Sequence, residues 1–286
     1  MYKKKIFDKL ASITELPTML VVAMEINRLT SDPNTTIEQI EALIKNDLTL
    51  TAKVLKIANS ALFAGSKRIV SLNSAISRLG FAEVSKLSLA ITFLNTFKPN
   101  YVDYEMFWIH SIATAYITTK LNDFSADKKR SERLFTGAIL HDIGILILDQ
   151  HFSEIYKKVF DIALNKNIEL TIVEQKVLGT NHAEVGAYLL EKWKIPSEIT
   201  EIIKFHHQPQ KATMTDHETK LIYLANFISN NRGYNNGTGT FPTHFYDDIW
   251  DDLKLSAEDI PQIIEEVNED IEKAKNLLRI GGRYSY

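Results

Sequence analysis

Two stretches of this 286-residue chain are apolar on nearly every face of a helix. Phe107 to Leu121 carries Trp108, Ile109, Ile112, Ala115, Tyr116 and Ile117, and Leu134 to Leu148 is as apolar. A helix that is apolar all round has no face to give to water, so both are read as buried central helices. Yet each holds polar groups: His110 in the first, His141 and Asp142 in the second. Burying an unpaired carboxylate costs on the order of several kcal/mol. Asp142 therefore requires a metal ion, a cationic partner such as Arg133 or Lys204, a helix end to cap, or several hydrogen-bond donors.

The rest of the chain also reads as helix. Thr36 with Gln39 is a capping-box pattern ahead of Ile40, Leu43 and Ile44. Asp47 caps a stretch in which Leu50, Val54, Ile57 and Ala58 recur at helical spacing. Ile76 and Leu79 lead to a stop at Gly80, and Val84, Leu87, Ile91 and Leu94 mark another helix. Asn181 with Glu184 starts a helix that ends before Pro196; Ser197 caps the next, which Pro209 ends. Lys220 to Ser229 follows, and Asn230 to Thr240 reads as a flexible loop. No strand alternation is visible. The expectation is all-α, with about five short helices in the first hundred residues.

Composition removes several function classes. There are no cysteines, which excludes disulfides, thiolate zinc sites and cysteine nucleophiles. A net charge of −3 gives no broad basic field for nucleic acid. Lys53, Lys56, Lys67, Arg68, Arg78 and Lys86 are read as scattered solvated positions. Lys3-Lys4-Lys5 is followed by no apolar run of signal-peptide type, and Leu134 to Leu148 is too short and too polar at its centre to span a bilayer. The expected setting is the cytoplasm, without membrane or nucleic-acid partners.

The histidines are the informative residues. His182 shares a helix face with Val185 and Leu189, and His206 shares one with Ile199, Ile202 and Ile203; His207 follows directly. Any one inward histidine is usually a satisfied core residue, and His151, His217 and His244 are read as ordinary exposed positions. His110, His141, His182, His206 and His207 with Asp142 form a different pattern. Neutral imidazoles plus a carboxylate are the ligands iron, manganese or zinc take where thiolates are absent. The expectation is one or two divalent ions.

The string His141-Asp142-Ile143-Gly144 with an upstream His110 resembles the HD phosphohydrolase superfamily. His182-Ala183-Glu184-Val185-Gly186 and Phe205-His206-His207 resemble its two-metal branch, which includes cyclic-di-GMP phosphodiesterases. Leu16-Pro17, Asp47 to Ala58-Asn59-Ser60, Phe63, Ile69 to Ser71-Leu72 and Ala75-Ile76 to Leu79-Gly80 narrow the likeness to the HDOD family. It covers about Ile13 to Asn230. The resemblance implies an HD-domain-like helical core preceded by a smaller N-terminal helical bundle, and a regulatory role in bacterial signal transduction. Boundaries follow at 1–100 for the bundle, 101–235 for the core and 236–286 for a C-terminal extension. By the same likeness, His110, His141 and Asp142 hold one metal, and His182, His206 and His207 a second, with Asp142 bridging.

The chain departs from the enzyme pattern. Where HD enzymes carry a last ligand Asp, Leu224-Ala225-Asn226-Phe227 offers Asn226, with a carbonyl oxygen but no charge. Where the two-metal phosphodiesterases place a lysine after the motif, Ile145 and Leu146 stand, and no Gly-Tyr-Pro follows. The resemblance so qualified implies a binding scaffold with a protein partner in a signalling pathway. The alternative is a metal-dependent phosphohydrolase acting on a nucleotide or cyclic dinucleotide. The amphipathic segment Glu258 to Leu278 is either a docking element or a helix folded back on its own domain.

Overall fold

The structure, a computed structural model, describes residues 2–13, 18–30, 32–60, 63, 68–126, 133–242 and 244–281. Leu16, Pro17 and Lys67 lie outside the described residues. In chain order the helices are α1 (Tyr2–Ser12), α2 (Thr18–Thr30), α3 (Ile37–Ile44), α4 (Leu48–Ala58), α5 (Leu72–Leu79), α6 (Phe81–Thr96), α7 (Tyr104–Phe124) and α8 (Arg133–Leu140). They continue as α9 (Ile143–Lys166), α10 (Leu170–Leu178), α11 (His182–Lys192), α12 (Ser197–Phe205), α13 (Asp216–Asn231), α14 (Ile249–Leu253) and α15 (Ile260–Gly281). Among the described residues there is no strand, and no helix long and apolar enough to cross a membrane.

The chain forms two compact units, residues 16–96 with 272–286, and residues 1–15 with 97–271. In the smaller, α2 to α6 bury a core that includes Ile26, Ile40, Val54, Ile76 and Val84. Thr36 and Gln39 make the expected reciprocal capping box on α3, and Asp47 Oδ1 accepts from the amide of Leu50. Asn59, which ends α4, bonds both backbone groups of Ile69: its amide donates to the carbonyl and its oxygen accepts from the N–H, each at 2.8 Å. One side chain thus closes the segment between these residues as a strand partner would.

The boundaries of the larger unit differ from the sequence expectation at both ends. Helix α1 belongs to it because Ile6 and Leu10 are fully buried and Phe7 stacks edge-on against Tyr188 at 4.8 Å. Residues 236–271 belong to it because Ile263, Val267 and Ile271 of α15 share a core with Leu121, Leu221 and Leu224. As far as Ile271 the amphipathic C-terminal segment is therefore a helix folded back on its own unit, with Ile263, Val267 and Ile271 covered.

Helix α7 is buried along nearly its whole length, as expected, and packs on α8 and α13. The second apolar stretch departs from expectation. It is two helices, with His141 and Asp142 in the turn between α8 and α9. The break lets α9 run along α11, and α11 in turn packs on α12. Gly144 in the first turn of α9 permits this, since a Cβ there would fall 1.9 Å from the carbonyl oxygen of His182.

Candidate metal centre

The break between α8 and α9 gives Asp142 the N-cap position of α9, but its side chain caps nothing. An aspartate at an N-cap ordinarily accepts from the second or third amide of the helix. Here the carboxylate turns inward instead and is fully buried. Of the two cations offered as its partner, Arg133 pairs with Glu198 and Glu218, and Lys204 lines the cleft beyond His207.

Around Asp142 the structure gathers imidazoles from four places. His110 comes from α7, His141 from the same turn, His182 from the first residue of α11, and His206 from the residue that ends α12. All four are buried, and His207 is half-buried beside them. Asp142 Oδ2 lies 3.5 Å from His110 Nε2 and 3.3 Å from His141 Nε2, which are 3.2 Å from each other. Asp142 Oδ1 lies 3.2 Å from His182 Nε2 and 3.3 Å from His206 Nε2, and His182 Nε2 is 2.9 Å from His207 Nε2. Each group keeps its candidate ligand atoms within 4.8 Å of one another, and the two share Asp142.

The outer nitrogens decide what these atoms are. Nδ1 of His110 donates to the carbonyl of Tyr234 at 2.6 Å, that of His141 to Ala138 at 2.6 Å, and that of His206 to Ile203 at 2.7 Å. Nδ1 of His182 donates to Glu174 Oε2 at 2.8 Å. A carbonyl cannot donate, so in the neutral tautomer of these rings Nε2 bears the lone pair. Lone pairs of His110 and His141 then face one another, and Asp142 Oδ1 and His206 Nε2 are buried without a hydrogen-bond partner. An ion bound at about 2.1 Å by several atoms separates neighbouring ligand atoms by about 3.0–3.4 Å, close to these spacings. The residues fit divalent ions: His110 and His141 on one side, His182, His206 and His207 on the other, Asp142 between.

Electrostatics agree for His110, His206 and His207. Burial, reinforced by the charge of His141, pushes the His110 imidazole down to about 4; burial does the same to His206, also to about 4, against the pull of Asp142. Burial and neighbouring imidazoles hold His207 well below its usual range. Burial alone would raise the Asp142 carboxyl, but His141, His182 and His206 overcome it and hold it well below the ordinary carboxylate value. His182 goes the other way: burial would lower it, but Glu174 and Asp142 raise it to about 10.

Asn226 on α13 lies at the edge of the group. Its side-chain oxygen accepts from Asn230 Nδ2 at 2.7 Å. It lines a cavity of about 30 Å³ together with His182, His207, Asn230 and Asn236. On the far side of His207 and Asn226 a cleft of about 710 Å³ opens, lined also by Lys176, Lys204, Lys211, Phe205, Tyr223 and Phe227. Among the described residues these lysines form no ion pair.

Three features were not anticipated. The segment read as a flexible loop closes over the centre. Asn236 donates to Asp142 Oδ2 at 2.9 Å, Thr238 donates to Asn236 Oδ1 at 2.6 Å, and Asn236, Thr238 and Thr240 are buried. Gly237, at φ 76°, bonds Asp103 so closely that a Cβ would sit 2.3 Å from the Asp103 carbonyl oxygen. Nothing in the Asn and Gly content of this loop signals a partner. Glu174 is the second, and its signal was present: Leu170, Glu174 and Leu178 share one helix face, which puts a carboxylate in an apolar stripe. The third is His217, expected exposed, which is buried with Nε2 3.4 Å from Asn122 Oδ1 and takes no part in the centre.

Comparison with known proteins agrees with this architecture. A protein of Treponema pallidum (strain Nichols), itself uncharacterized, is 26% identical over 202 residues; that span is 71% of this chain and 39% of the relative, so the match takes in about two fifths of its length. An HDOD domain protein of unknown function from Geobacter sulfurreducens superposes with a TM-score of 0.77 at 19% identity, over 98% of each chain. A structure from Marinobacter aquaeolei VT8 named for signal transduction gives 0.78 at 22% identity, over 98% of this chain and 65% of that one. One from Shewanella amazonensis SB2B named for phosphohydrolase activity gives 0.73 at 20%, over 97% and 99%. At these identities the solved structures speak to the fold alone. The HDOD domain description, however, matches residues 16–209, more than half of the chain. The chain belongs to the HDOD domain family.

Proposed function

We propose that the chain is a regulatory binding module of signal transduction, built around a two-ion centre that organises the helices and does not turn over substrate. The observation that carries this reading is how the centre is closed. A catalytic metal site keeps one position open for water or substrate. Here Asn236 hydrogen-bonds Asp142 Oδ2, Asn230 hydrogen-bonds the Asn226 oxygen, the free space that reaches His182 is about 30 Å³, with room for about one water molecule, and of the histidines of the centre the larger cleft reaches only His207. Ile145 and Leu146 are fully buried, so the positions after the motif present no cation to a phosphate. The Marinobacter structure's name is in keeping with signalling. The effector surface would bind a protein partner in that pathway.

A second reading rests on the cleft. Lys176, Lys204 and Lys211 reach it from three segments beside aromatic rings, a lining that suits a nucleotide or cyclic dinucleotide, and the Shewanella structure is named for phosphohydrolase activity. With ions bound, such a centre supplies phosphoryl polarisation and a hydroxide nucleophile.

Turnover of bis(p-nitrophenyl) phosphate and of cyclic dinucleotides, with Mn²⁺ supplied, separates the two. The native chain is expected to show none above background. Asn226→Asp restores an anion at the edge of the centre and is expected to tighten ion binding about tenfold or more. Multiple turnovers by the native chain would overturn the regulatory reading in favour of the hydrolase.

A further inference from the structure

Three of the four buried rings donate Nδ1–H to backbone carbonyls, and His182 alone donates to a carboxylate. Glu174 comes from α10, eight residues before His182, and the turn at Gly179 (φ 75°) folds the chain so that it meets the start of α11. Its carboxylate is fully buried. Oε2 accepts from Nδ1 of His182 at 2.8 Å and from the backbone N–H of His182 at 3.1 Å. Oε1 accepts from the phenol of Tyr156 at 2.5 Å. Three donors on a buried carboxylate over-determine its position, and two of the three belong to His182.

We propose that Glu174, held by Tyr156, is a positioning residue for the ion on the His182–His207 side, and makes that position stronger than its neighbour on the His110–His141 side. The inference rests on the two-ion reading of the centre. A carboxylate behind a ligating imidazole fixes the ring and its tautomer and makes the inner nitrogen a better donor, whereas a carbonyl fixes the ring with less effect on basicity. The two ion positions, with four candidate ligands on the His182–His207 side and three on the His110–His141 side, thus differ in their support as well as in ligand count. A purely structural role, holding the start of α11 through the His182 amide, would move both positions together.

Titration with Mn²⁺ of the full chain tests this, with folding checked by thermal melting. The native chain takes up two ions of unequal affinity. Glu174→Gln, which keeps the shape and removes the charge, weakens one ion by about 10–100-fold and leaves the other within about twofold. Added to His207→Ala, where that same ion is already weakened, Glu174→Gln leaves the remaining ion unchanged. Tyr156→Phe, the milder variant should Glu174→Gln melt at low temperature, weakens the same ion by less than about tenfold. Two native-strength ions in folded Glu174→Gln, or equal weakening of both, would overturn the role of Glu174 and leave the centre standing. A folded native chain that takes no ion would overturn both.

Discussion

Asp142→Asn is expected to abolish ion binding on both sides of the centre at once. Asp142 is the single carboxylate common to the two groups of candidate ligands, one oxygen facing each. An amide of the same shape keeps one carbonyl oxygen but loses the charge, and offers the other group an N–H in place of a lone pair. Positions held by imidazoles and one anion then become purely neutral. Removing a supporting partner behind a ligand costs about 10–100-fold in affinity. Removing the shared anion is expected to cost more than about a hundredfold at each position, roughly 3 kcal/mol per ion. The metal-free fold should suffer too. The histidines hold this carboxyl well below its ordinary value, so the charged form is net favoured where it lies, and deleting one partner of a buried charged cluster costs about 3–5 kcal/mol. Elemental analysis gives the first effect, and urea unfolding in chelator the second. Two ions retained in Asp142→Asn would mean that the histidines bind without a bridging anion.

Gly144→Ala is expected to be the most damaging single methyl in the chain's centre. A Cβ at Gly144 would fall 1.9 Å from the carbonyl oxygen of His182 and 2.7 Å from its carbonyl carbon. Both are backbone atoms and cannot rotate away. The first turn of α9 would have to move off α11, and that turn carries Asp142 while α11 begins at His182. Overpacking costs about 1–3 kcal/mol where side chains can yield, and more where they cannot. We expect a loss above about 3 kcal/mol, or no accumulation of folded protein. Gly186→Ala is the internal control. Its added methyl meets Ile143 Cγ2 at 3.1 Å and the Gly144 amide nitrogen at 3.2 Å, and gains about 1 kcal/mol of helix propensity. Its net cost should stay within about 1 kcal/mol. Thermal melts of the two variants side by side decide the matter; a Gly144→Ala protein that melts like the native chain would contradict the close packing of α9 on α11.

The centre was legible because its ligands sit where burial is legible. His110 lies in a helix apolar on all faces, and His182 and His206 share periodic faces with Val185, Leu189, Ile199 and Ile202. Local spacing fixes which way such residues point. The break between α8 and α9 was not legible, because a continuous apolar run looks the same whether it is one helix or two buried ones. It turns on a backbone contact between Gly144 and His182, thirty-eight residues apart in sequence. Asn236 was illegible for the same reason: its role comes from a loop clamped at Asp103 and Gly237, and turn residues carry no periodicity. Glu174 could have been found, since a carboxylate on the face of Leu170 and Leu178 must meet donors. The placement of the cations was not legible either. Arg133 is engaged by Glu198 and Glu218, while Lys176 and Lys211 join Lys204 at the cleft through helix-to-helix placement that spacing does not encode.

The central claim is that five histidines and one aspartate converge as ligands of divalent ions and not as a satisfied polar core. Elemental analysis tests it most directly, on protein purified without chelator or histidine tag, incubated with excess Mn²⁺, Fe²⁺ or Zn²⁺ and then freed of loose ions. The account predicts about two equivalents of one of these metals per chain. A folded chain that retains less than about a tenth of an equivalent of each would contradict it, and would make the cluster a hydrogen-bonded core that no ion enters.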